Sequence, residues 1–181
     1  MLLRVLRLAA AWAFTGFFWL AWAVPALLRG SLRLTPERAQ AALRLWGRGV
    51  SRLLGIEIVC ENESTLETPG PRVVVFNHQS ALDMLWVAWT APPAPLALGK
   101  KEIAWVPIVN LAWWMLDFRL VDRHNPRIAA ASRRVVPKEV AAGRSLLIAP
   151  EGTRTRDGSF LPFKKGGFVM ALRAGAPIYP V

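Results

Sequence analysis

The chain opens with an unbroken apolar stretch. No charged residue lies between Arg7 and Arg29. Leu8 to Leu28 is about 21 residues, which as a helix spans roughly 31 Å, close to one bilayer core. Arg4 and Arg7 precede it, and Arg29 and Arg33 follow. Positive charge on both flanks gives no orientation. It suits a spanning helix, or a re-entrant hairpin bent at Gly16 and Pro25. A cleavable leader ending near Ala21-Trp22-Ala23 and a helix buried in a soluble core are the competing readings. Thr35-Pro36-Glu37 then reads as an N-cap, a first-turn proline and an acidic first turn. The helix it starts places Ala39, Leu43, Trp46, Val50 and Leu53 on one face and Arg44, Arg48 and Arg52 in a stripe at spacing four. That pattern predicts a helix on a membrane surface, or one packed on the domain with a solvated basic face.

From about Ile56 the texture changes to short apolar runs alternating with helical stretches. Ile56–Cys60, Arg72–Phe76, Leu96–Leu98, Leu120–Val121, Ser145–Ala149 and Ile178–Val181 read as strands. Helices are predicted from Ser80, around Val106–Leu116, from Pro126 to Ala142, ended or kinked at Pro137, and from Lys165 to Ala174. This alternation predicts an α/β fold, a largely parallel or mixed central sheet flanked by helices. Residues 1–54 form the N-terminal membrane-associated helical segment, and 55–181 the α/β domain. Glu61–Pro71 is the most loop-like connection. The last residues, Tyr179-Pro180-Val181, read as core, so the domain is expected to be incomplete at its C-terminus.

Composition sharpens the membrane reading. The 181 residues are 54% hydrophobic, carry a net charge of +11 and include nine Trp. An anionic bilayer accommodates both properties, whereas nucleic acid answers only the charge. No zinc-finger, RNP-type or basic-zipper pattern is present, so a nucleic-acid partner is not expected. The one cysteine, Cys60, cannot form an intrachain disulfide and favours a reducing compartment.

Two polar blocks follow two of the predicted strands. After Val73-Val74-Val75 comes Phe76-Asn77-His78-Gln79-Ser80-Ala81-Leu82-Asp83. A carboxylate at Asp83 could hold one ring nitrogen of His78 and leave the other to take a proton, a general base with its orienter. Ser80-x-x-Asp83 is equally a capping-box pattern, which gives Asp83 a purely structural reading. After Leu146-Leu147-Ile148 comes Pro150-Glu151-Gly152-Thr153-Arg154. There Gly152 permits a tight turn, Arg154 and Thr153 suit a phosphate, and Glu151 suits a hydroxyl, or the block is a charged surface turn. Lys100-Lys101 and Lys164-Lys165 offer further cations near element ends. His78, Asp83 and His124 show no metal-ligand spacing, and a metal is not expected.

Together these blocks resemble the glycerolipid acyltransferase family, most closely the bacterial 1-acylglycerol-3-phosphate acyltransferases. His78 through Asp83 matches the family's H-x-x-x-x-D motif, and Glu151-Gly152-Thr153-Arg154 its E-G-T-R motif. Gly99-Lys100-Lys101-Glu102-Ile103, Val121-Asp122-Arg123, Leu161–Gly166 and Ala176–Val181 resemble the intervening and closing blocks. The resemblance implies His78 as base and Asp83 as its partner. It implies an acceptor site of Glu151, Gly152, Thr153 and Arg154, with Lys100 and Arg123 as further phosphate contacts. It implies acyl-CoA or acyl-carrier protein as donor, lysophosphatidic acid as acceptor, no cofactor or metal, and an active site at the cytoplasmic face of a bacterial inner membrane among its phospholipids. Asp117 and Arg119 depart from the family pattern, which normally has a glycine and an apolar strand there. They raise the expectation of a changed acceptor, such as another lysophospholipid. A non-catalytic membrane-binding protein of the same fold is the alternative from outside the enzyme class.

Overall fold

A computed structural model describes residues 1–66, 68, 70–122, 126–155 and 159–181. The apolar N-terminus is one continuous helix, α1 (Leu2–Leu28). The helix is uninterrupted at Gly16 and Pro25, so neither supplies the turn of a re-entrant hairpin. The reversal comes after Leu28, and α2 (Pro36–Leu54) packs back along α1. Thr35 caps α2 as its sequence predicts, accepting a hydrogen bond from the Arg38 amide, and Gly55 closes it in the left-handed conformation. Ala11, Thr15, Trp19, Ala23 and Ala26 form the buried stripe of α1, at helical spacing. Its other face exposes Leu20, Val24 and Leu27. This helix is long and apolar enough to cross a membrane by length and composition.

The basic stripe of α2 has a use that its sequence hides. Arg44 Nε donates to the Ala91 carbonyl at 3.0 Å, and the Arg48 guanidinium lies 5.5 Å from the centre of the Trp89 ring. Both therefore hold α2 to the end of α3 (Asp83–Trp89), while Arg52 of the same stripe stays exposed. The two helices cross at Gly47, where an added Cβ would lie 2.8 Å from the Trp89 amide nitrogen.

Five parallel strands form the sheet: β1 (Arg72–Val75), β2 (Pro95–Lys100), β3 (Arg119–Val121), β4 (Ser145–Ile148) and β5 (Ile178–Pro180). Their spatial order is β3-β2-β4-β1-β5. Alternation along the strands assigns the two faces. Val74, Ala97 and Leu147 join a core with α1, α2, α3 and α4 (Val109–Met115). Val73, Leu96 and Leu146 join a second core with α5 (Pro126–Ala141) and α6 (Gly166–Ala174). The expected parallel α/β sheet is thus covered on both faces, as parallel sheets require.

Three expectations are corrected. Ile56–Cys60 is no strand. It leaves α2 as an extended segment outside the sheet, and its alternating Ile56 and Ile58 pack on the cluster of Ala11, Val50 and Leu85. Pro137 does not end α5, which runs on to Ala141. Val136 and Val140, one turn apart and fully buried, hold the segment in place on either side of the proline. The helix expected from Ser80 begins at Asp83, because the residues before it are engaged in a side-chain-bridged turn.

Candidate active site

The loops after β1 and β4 leave the same edge of the sheet side by side, since Val75 is in register with Ile148. Phe76 extends the pairing by one bond, donating its amide to the Ile148 carbonyl at 3.3 Å. Beyond it the chain turns back on itself around Asp83. One carboxylate oxygen, Oδ2, accepts the Gln79 amide at 2.9 Å and the Ser80 amide at 3.0 Å. The same oxygen lies 2.8 Å from His78 Nδ1. The capping-box and the His-orienting readings of Asp83 are therefore not alternatives. The carboxylate that secures the turn is also the one that fixes the ring. Ser80 takes a smaller part, its hydroxyl accepting the Leu82 amide at 3.1 Å. The ring of Phe76 stands edge-on to His78 and to Trp86, walling the imidazole on one side. The His78 side chain keeps 27% of its surface exposed, so the ring is held but reachable.

Glu151 sits where the two loops meet and is 1% exposed. Its Oε1 accepts the His78 amide at 3.1 Å and the Asn77 side-chain amide at 3.3 Å. Its Oε2 accepts the Leu161 amide at 3.2 Å. The His78 amide, then those of Leu161 and Asn77, hold this carboxyl below its usual range against the opposing effect of burial. Both oxygens are thus engaged by the protein, unlike the open hydroxyl acceptor that the sequence alone suggests. Gly152 follows at φ +74, and an added Cβ would lie 2.9 Å from Lys164 Nζ. Thr153 and Arg154 are exposed just beyond. Lys164 is anchored to this loop by its amide, which donates to the Pro150 carbonyl at 2.8 Å.

Lys100 ends β2, the next strand on the other side of β4, and is exposed at the same edge. The structure therefore gathers His78, Asp83, Glu151, Gly152, Thr153, Arg154 and Lys100 on the C-terminal ends of three adjacent strands, where α/β folds bind ligands. Arg123 and His124 lie outside the described residues. Asn77 and Leu161 join the site unannounced. Asn77 stands in the motif without a chemical signal of its own, and Leu161 contributes only a backbone amide.

Residues 57–181 match the Acyltransferase family. The chain belongs to the acyltransferase family. It is 33% identical over 147 residues to the 1-acyl-sn-glycerol-3-phosphate acyltransferase of Salmonella typhimurium, covering 81% of this chain and 60% of that one. With the human 1-acyl-sn-glycerol-3-phosphate acyltransferase alpha it shares 33% identity over 140 residues, 77% of this chain and 50% of the relative. The chain thus spans only half to three-fifths of these relatives. The crystal structure of the 1-acyl-sn-glycerophosphate (LPA) acyltransferase PlsC from Thermotoga maritima superposes with a TM-score of 0.75 at 23% identity, covering 99% of this chain and 72% of that one. That likeness carries the fold, including the α1–α2 hairpin.

Asp117 and Arg119 stand elsewhere. Asp117 pairs with Arg33, Arg119 and Arg144 at 3.2, 2.9 and 3.1 Å. Arg119 and Arg144 also face Glu139. Arg144 donates to the Pro95 carbonyl at the N-terminal end of β2. The expectation that these residues reshape the acceptor pocket is corrected: their charges are spent on each other at the opposite edge of the sheet.

Proposed function

We propose that the chain transfers a fatty acyl group from a thioester to the free hydroxyl of 1-acylglycerol-3-phosphate, giving phosphatidic acid. The single observation that carries the mechanism is the 2.8 Å contact between His78 Nδ1 and Asp83. With Nδ1 so engaged, Nε2 is the nitrogen that takes the proton from the acceptor hydroxyl as its oxygen attacks the thioester carbonyl. Asp83 stabilises the imidazolium that forms. The tetrahedral intermediate collapses by breaking the carbon–sulfur bond, and the imidazolium returns its proton to the departing thiolate. Glu151 contributes by holding the His78 backbone. Arg154 and Lys100 hold the acceptor phosphate, with Arg123 as a further contact. The similarity to 1-acyl-sn-glycerol-3-phosphate acyltransferases supports the acceptor. α1 seats the enzyme in a bacterial inner membrane with the site toward the cytoplasm.

The test is to incubate membranes containing the protein with several lyso-acceptors, each with acyl-CoA and with acyl-carrier protein, and to identify the lipid products. Phosphatidic acid from one of the donors is the expected result. Another acylated product would replace the acceptor named here, and vesicle binding without acyl transfer would favour a non-catalytic role. Arg154→Ala is expected to raise KM for phosphorylated acceptors, losing charge-assisted bonds worth about 1.5–3 kcal/mol each. An equal loss with an acceptor lacking phosphate would remove Arg154 from that role.

A further inference from the structure

The segment after β2 carries a row of apolar side chains that face outward. Trp105 is 85% exposed, Val106 41% and Trp114 56%. Asn110 and Trp114 share one face of α4 at spacing four, and Val106, in the extended turn just before the helix, is tied to them by the Asn110 amide, which donates to the Val106 carbonyl. The segment cannot roll to hide them. Its inner side chains, Ile103 and Trp113, close over Gly99, where an added Cβ would lie 2.7 and 2.5 Å from them. Ala112, Trp113 and Met115 bind α4 into the same apolar cluster as Trp19, Ala23 and Ala26 of α1. α4 thus packs beside the helix whose own outer face is apolar. An exposed lysine, Lys100, stands at the upstream end of the apolar stripe, in a chain of net charge +11. Tryptophan beside lysine, next to an apolar helix, is the composition of a membrane interface.

We propose that the Lys101–Trp105 turn and α4 form a second membrane contact, lying along the surface of an anionic bilayer with Trp105, Val106 and Trp114 turned into it. This rests on reading α1 as the membrane-seated helix. It adds that the catalytic domain itself is pinned to the lipid beside β2, so that α1 does not act as a bare tether.

Single cysteines placed in a Cys60→Ser background test both statements separately. Val106→Cys and Trp114→Cys report on the stripe, Leu20→Cys on α1, and Leu172→Cys on exposed α6, across the sheet. Each is labelled with an environment-sensitive fluorophore. The full chain is reconstituted in phosphatidylethanolamine–phosphatidylglycerol vesicles and quenched with doxyl lipids or with aqueous iodide. Labels at 106 and 114 are expected to lose most of their emission to shallow doxyl groups and little to iodide. The label at 20 should respond to deep doxyl groups, and that at 172 to iodide alone. If 106 and 114 behave like 172 while 20 stays lipid-quenched, the second contact is overturned and α1 stands. If 20 also responds only to iodide, the reading of α1 falls with it. Labels shielded from both quenchers would mean that protein, a second copy included, covers the stripe, which also overturns the proposal. Undiminished lipid quenching in phosphatidylcholine vesicles would overturn the requirement for anionic lipid.

Discussion

Two carboxylates at one edge of the sheet and two at the other are used in opposite ways. At the C-terminal edge, Asp83 and Glu151 accept from backbone amides, an asparagine and an imidazole. At the N-terminal edge, Asp117 and Glu139 face the guanidiniums of Arg33, Arg119 and Arg144. Backbone donors carry no formal charge and so do not neutralise the first pair, of which Asp83 meets the His78 ring and Glu151 the His78 backbone. Guanidiniums neutralise the second pair. The hydrogen bond that Arg119 donates to Glu139 raises the Arg119 pKa, while burial lowers that of Arg144 in spite of its partners. The lesson is that, among these four carboxylates, the two next to guanidiniums mark structure and the two next to amides mark the site.

If that contrast is right, the largest effects on chemistry come from the C-terminal edge. His78→Ala is expected to cut acyl transfer on the order of 10²–10⁴-fold, the range for general-base catalysis, with circular dichroism and thermal midpoint preserved. Turnover near that of the parent protein would break the comparison outright, because the charge held by Asp83 would then serve no reaction.

Glu151→Ala should strike both activity and stability. It leaves the amides of His78 and Leu161 and the Asn77 side chain without their acceptor, each a loss of about 1–3 kcal/mol where no water replaces it. Its pH dependence has a definite sign. The folded carboxyl is held below the ordinary value of 4.5, so its stabilisation is complete above that pH and fades as pH falls through the lower folded value. Glu151→Gln should therefore unfold more easily at neutral pH but lose less on acidification than the parent. Equal acid sensitivity in urea-melt series would show that some other group carries that limb.

Much of this is legible in the sequence. The alternation after Ile56 announces an α/β sheet, and the ordered motifs announce the family. The hidden parts are those where one residue type has two physical uses. Alternating Ile56 and Ile58 fit a strand or an extended segment packed on helices, and only the neighbouring α1–α2 hairpin decides. Arginines at spacing four fit a solvated stripe or a helix clamp, and only the Ala91 carbonyl and Trp89 ring reveal the clamp. Asp117 and Arg119 are adjacent to a motif in sequence, yet the chain carries them to the other end of the strands. Glu151 is the subtlest case, since its partners are backbone amides, which no sequence pattern displays.

At the N-terminal edge the prediction is loss of stability without loss of rate. Asp117 has φ +53, a left-handed value that asparagine tolerates well, so Asp117→Asn removes charge without adding backbone strain. It leaves Arg119 and Arg144 to share Glu139. Breaking a buried pair costs about 3–5 kcal/mol, and partial exposure reduces the expected loss here to about 1–3 kcal/mol. Urea melts give that loss, and kcat/KM should stay at the parent value. A changed acceptor preference would return these residues to the pocket and erase the distinction between the edges.

The smallest effect sharpens the same edge. Arg33 joins Asp117 at 3.2 Å, but its side chain is 59% exposed. Its linker has a second hold, for the Leu34 amide donates to the Met115 carbonyl at 2.8 Å and Leu34 itself is buried. Arg33→Ala should therefore cost only about 0.2–1 kcal/mol, and the parent should lose a similar amount in high salt, which screens an exposed pair. The double variant Arg33→Ala with Asp117→Asn separates the terms. If the network is closed without Arg33, the double variant is hardly less stable than Asp117→Asn alone. A large additional loss would mean that the interhelical turn is held mainly by charge, and that the N-terminal edge, like the C-terminal one, has a carboxylate reaching beyond its own neighbours.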